Sequence, residues 1–121
     1  MLYVRNTGNA KQTMPDDMHL AFVKKCEVYI NKLKADGNLV AAQPLARDGV
    51  IISKNANGWS QVPVEESGTV NVGYYHIMAK DMEEAIGLAK GNPEFEYVPS
   101  ASIEVKSIKQ KEEKTDFVYP K

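Results

Sequence analysis

The stretch that most limits what this chain can fold into is VNVGYYHIMAKDMEEAIGLAKGNP, residues 70–93. Its first ten residues read as a strand, along which side chains alternate between two faces. Asn71, Gly73, Tyr75, Ile77 and Ala79 are expected on one face, and Val72, Tyr74, His76 and Met78 on the other. Neither set is charged, so both faces are expected to be covered. Asp81 then stands three residues before Glu84, the spacing of a capping box that satisfies two helix-end amides. Gly91 is expected as the residue just past the helix, and Pro93 forbids continuation.

Upstream, Leu2-Tyr3-Val4 suits a short strand that Asn6-Thr7-Gly8-Asn9 would break. Thr13 offers an N-cap with Asp16 three residues on, and Pro15 falls in the first turn. Met18, Phe22, Cys26, Tyr29, Ile30 and Leu33 recur at spacings of three and four, one apolar helix stripe that Gly37 ends. Residues 38–45, NLVAAQPL, read as a strand with Pro44 marking its end or an edge. Residues 50–53 and 59–64 flank the hairpin turn Asn55-Ala56-Asn57-Gly58. Residues 94–100 read as irregular, and 103–108, IEVKSI, as an alternating strand. The tail from 110 to 121 has no apolar period and is expected to be mobile or draped on a partner.

This order predicts an α+β chain on the ferredoxin-like βαββαβ plan, with an extra hairpin in the middle. At 121 residues it is one domain, 1–109, followed by a charged tail. Two helices cover one sheet face only, whereas residues 70–79 look apolar on both. A second copy is therefore expected to cover the other face, joining a homodimer sheet to sheet. The near balance of 15 basic and 16 acidic residues implies no nucleic-acid partner. No apolar run approaches the roughly 18–20 residues of a membrane span, so no membrane partner is expected either. MLYVRNTGNAK lacks the features of a signal peptide, which makes a cytoplasmic address the expectation. The single cysteine, Cys26, permits no intramolecular disulfide.

QVPVEESGTVNVGYYHIMAKDMEEAIGLAKGNP, taken with the later SIEVKSI, resembles the YCII-related domain family in its DGPF branch. Pro63, Glu66, Gly73, Tyr74 and Tyr75 fall on positions of that branch's pattern. So do Asp81, Glu84, Ala85, Ile86, Ala89, Pro93, Ile103, Glu104 and Val105. The likeness covers residues 1–109 and departs where the branch has its DGPF box, here Gln61-Val62-Pro63-Val64. It implies a dimeric α/β barrel with two sheets facing each other around a pocket. In the wider family a helix histidine and an aspartate are thought to act in that pocket. Cys26 stands at the histidine's position and Asp48 matches the aspartate, so the resemblance does not carry a dyad over.

Strand parity gives a pocket. Tyr75, Ile77, Ala79, Ile103 and Val105 look like the helix-facing row, leaving Tyr74, His76, Met78, Glu104 and Lys106 toward the inter-sheet space. A histidine, a carboxylate and an ammonium group converging there could bind a small polar molecule or transfer protons. Polar groups in an interface are more often paired than catalytic, however, and the favoured reading is that Glu104 and Lys106 form a salt bridge and His76 is a satisfied interface residue. Cys26 belongs to the helix stripe, where a small buried thiol is expected. His19 is expected to be solvated, and Trp59 to be a packing anchor rather than a lid. Two distant histidines and one cysteine make no metal site, and the glycines form no phosphate cradle, so no cofactor is expected. The reading is a dimeric small-ligand-binding or accessory module; a lyase or isomerase acting in the barrel pocket is the alternative.

Overall fold

The computed structural model describes residues 1–8 and 14–120. Its elements are β1 (Leu2–Thr7), α1 (Asp16–Ala35), β2 (Leu39–Pro44), β3 (Val50–Asn55) and β4 (Gly58–Pro63). β5 (Thr69–Ile77), α2 (Met82–Lys90), α3 (Glu94–Tyr97) and β6 (Ser102–Val105) follow. Four strands form an antiparallel sheet in the order β2-β5-β1-β6, and β3 with β4 forms a separate two-stranded sheet. The chain is thus α+β, and its sheet order is compatible with a ferredoxin-like fold.

The helices cover one face of the sheet. Leu2 of β1, Ile77 of β5 and Ala89 of α2 are buried together, with Tyr75, Leu88 and Val105 packed against them. Val4, Val70 and Val72 make a second cluster on that side. The place of Val72 corrects the strict alternation expected of this strand. Between Val4 and Arg5 the register slips: Val4 faces Gly73, whereas Arg5 faces Asn71. That bulge inserts one extra residue and reverses the parity beyond it. Val70 and Val72 turn to the helices, while Asn71 is exposed. The open face therefore presents Tyr3, Arg5, Tyr74 and His76, all half-buried, rather than an apolar row. At Gly73 the neighbouring strand comes close: a Cβ there would lie 3.2 Å from the Gln43 carbonyl oxygen of β2.

Several boundaries follow from local chemistry. β1 runs on through Asn6 and Thr7, longer than the sequence suggests, because these residues pair with Val70 and Thr69 of β5; Arg47 donates to the buried Asn6 Oδ1. The expected cap Thr13 lies outside the described residues, and α1 starts after Pro15 without a side-chain cap. At its other end Gly37 takes φ +77°. The Gly37 and Asn38 amides return to the Lys34 and Leu33 carbonyls at 3.2 and 2.8 Å, a Schellman end. On α2, Asp81 accepts from the Glu84 amide at 2.8 Å, and the Glu84 carboxylate accepts from the Lys80 amide. Gly91 ends α2 as its C-cap, in a right-handed conformation.

Two segments depart further from expectation. Residues 94–100 are not wholly irregular: Asn92 Oδ1 accepts from the Glu94 amide at 2.9 Å and starts the short helix α3. The tail has a local fold, with Lys111 and Val118 bridged antiparallel and the Tyr119 hydroxyl donating to Glu112 at 2.7 Å. No helix is long and apolar enough to cross a membrane among the described residues.

Candidate functional site

The six site residues named from sequence do not converge on one place. Tyr74 lies beside Tyr3, and Tyr3 beside Glu104, so these three form one row across the open face. His76 pairs with Ala41 in the next row. Strand β1 stands between His76 and Glu104, two strand spacings or roughly 9–10 Å, which is beyond hydrogen-bond reach. No ion pair joins Glu104 to Lys106. His76, Met78 and Lys106 do share one cavity of about 280 Å³, at the end of the sheet beside Lys80 and Asp81. Met78 and Lys106 are exposed there. Asp48 is exposed in the loop after β2, beyond the opposite end of β5. The histidine–carboxylate–ammonium group anticipated from parity is therefore not assembled within one chain.

The more enclosed chemistry lies on the other side of the sheet. A cavity of about 270 Å³ sits between α1 and the strands. The helix contributes His19, Phe22, Val23, Cys26 and Ile30, the same three-and-four spacing that marks its apolar stripe. From the sheet come Val4, Ala42, Pro44 and Val72, and Gly73 opens room at the bulge. Apolar side chains make most of the wall. Its polar lining residues are His19 and Gln43 together with the partly or fully buried Cys26, Tyr75 and Glu94. Glu94 is only 6% exposed, and its amide donates to Asn92 Oδ1 just ahead of α3.

Burial pushes the Tyr75 hydroxyl well above the usual tyrosine range. The charges of Cys26, Tyr29 and Glu94 add to that push, and the Asn92 amide works against it. Tyr75 is thus a neutral hydroxyl at physiological pH, able to donate and accept, and not a base. Its ring meets Tyr29 edge to face, with centroids 5.5 Å apart. Tyr29 in turn donates to the Leu88 carbonyl at 2.6 Å, fixing the inner wall against α2. Phe22 is braced by Tyr97 of α3, with centroids 5.3 Å apart.

The sequence held part of this site. Cys26 and Tyr75 were each assigned to the layer between helix and sheet, and facing rows of that kind can enclose a pocket. Glu94 was missed because residues 94–100 read as irregular. Asn92-Pro93 ahead of acidic residues is a helix-start signal that would have placed it. His19 is exposed as expected, yet its ring stands at the cavity's edge, 6.5 Å from Phe22. Trp59 is no packing anchor within the chain: it is 72% exposed, with Lys54 Nζ 5.2 Å above its ring.

Among the described residues, no group of three or more His, Cys, Asp and Glu could hold a metal ion. No protein-family model matches this sequence, and no curated protein matches it.

Proposed function

We propose that this protein is a binding module for a small, mainly apolar molecule, seated between α1 and the sheet. The observation that carries this reading is the cavity of about 270 Å³ in which Cys26, Tyr75 and Glu94 interrupt an apolar wall. Ligand sites have that make-up: an apolar enclosure with a few placed polar groups that orient the guest. An engineered apolar cavity of about 150 Å³ takes up benzene, so this one suits a substituted ring or a short branched chain with a polar head. Tyr75, kept protonated by burial, favours binding over proton abstraction. The resemblance to the YCII-related domain supports the same class of function, and supports a homodimer joined through the open sheet faces.

Phenol is a suitable probe, combining one ring with one polar head. Titrated into labelled protein and followed by NMR, it should shift the amides of Phe22, Cys26, Val72 and Tyr75. Ala42→Phe, which fills the cavity from β2, should weaken the binding at least tenfold. Val23→Phe at the rim gives the same test if the first variant folds poorly. Shifts confined to the open sheet face or to the β3–β4 hairpin would overturn the assignment.

A further inference from the structure

The β3–β4 hairpin is built unlike the rest of the molecule. Apart from Gly58, every residue from Val50 to Pro63 is exposed, and the hairpin pairs with no strand of the main sheet. Yet it is rich in apolar side chains. Val50, Ile51, Ile52, Trp59 and Val62 are between 52% and 72% exposed. Val50, Ile52 and Trp59 share one face of the hairpin, and Ile51 and Val62 share the other. A lone two-stranded hairpin is at best marginally stable in water, and a contiguous exposed apolar patch marks an interaction surface.

We infer that this hairpin is an exchanged arm: in a homodimer each copy's arm lies across the open sheet face of the other. The partner is a second copy because one chain carries both halves of the contact. Among the described residues it has an apolar arm that pairs with no strand of the main sheet and a sheet face presenting half-buried Tyr3 and Tyr74 beside Arg5 and His76. A two-fold axis satisfies both with one contact made twice. The size also fits. Residues 50–63 and the six open-face residues Tyr3, Arg5, Gln43, Tyr74, His76 and Glu104 reach the range of about 20–30 residues per side of a standard interface. This inference rests on the homodimer proposed above and covers its open face with the partner's arm in place of the partner's sheet.

Trp59 is the chain's single tryptophan, so its emission reports on the arm alone. In a dilution series followed by light scattering, the mass should double with concentration, and the Trp59 emission should move to the blue over the same range. Ile52→Lys, at an exposed position, should leave the chain folded by circular dichroism and weaken dimerisation at least tenfold. A monomer at every concentration would overturn both the arm and the sheet pairing. A dimer whose Trp59 emission never changes, or which Ile52→Lys leaves intact, would overturn the arm while leaving the sheet pairing standing.

Discussion

Tyr29 shows how one residue reports the packing around it. It lies on the α1 stripe and packs its ring on Tyr75, while its hydroxyl is held by the Leu88 carbonyl. Burial pushes its pKa up from 10.0 to about 12. The folded chain therefore binds this proton more tightly than the unfolded chain does. Stability from this source is complete below about pH 10 and is lost as pH rises toward about 12. Tyr75 acts in the same direction. Urea melts at pH 9 and pH 11 should show a lower midpoint at the higher pH, and Tyr29→Phe should shrink that difference. If the variant keeps the full difference, Tyr29 is not a source of it. The helix stripe was enough to place Tyr29 inward. That its partner would be Tyr75 depended on a packing layer that no single segment encodes.

Among the elements, α1 was the most legible and β5 the least, for opposite physical reasons. A helix phase is fixed by many spacings at once, so Phe22 and Leu33 are buried as the pattern requires. Gly37 stops the helix because only glycine takes φ +77° without strain. A strand phase rests on parity, and one bulge reverses it. The slip opposite Val4 and Arg5 puts Val72 on the helix face, so the open face of β5 is not the apolar row that strict alternation predicts. Helix phase is directly testable. Leu33 is 3% exposed, and Leu33→Ala should cost roughly 2–5 kcal/mol in chemical denaturation. Neighbouring Lys34 is exposed, and Lys34→Ala should change stability by no more than about 0.5 kcal/mol. Equal costs would mean that the stripe is turned the wrong way.

At the scale of the molecule, element order was readable because turns and breakers punctuate it clearly. How the central hairpin sits was not, since its alternating apolar residues look like those of any half-buried strand. It stands apart from the main sheet: its base is closed by the Val64 amide donating to the Gly49 carbonyl at 2.9 Å, and neither of its strands joins that sheet. The rest of the fold should then be indifferent to it. Because that hydrogen bond brings the two ends of the arm together, residues 50–63 can be replaced by a two-residue Asn-Gly turn without stretching the chain. The comparison must be made at a dilution where the native chain is monomeric, since dimerisation would stabilise the native chain alone. Under those conditions the shortened chain should keep its helical circular dichroism and melt within a few degrees of the parent. A drop of about 10 °C or more, which for a chain of this size corresponds to at least 1–2 kcal/mol, would place the hairpin in the folding unit. The separation of arm from domain would then be wrong.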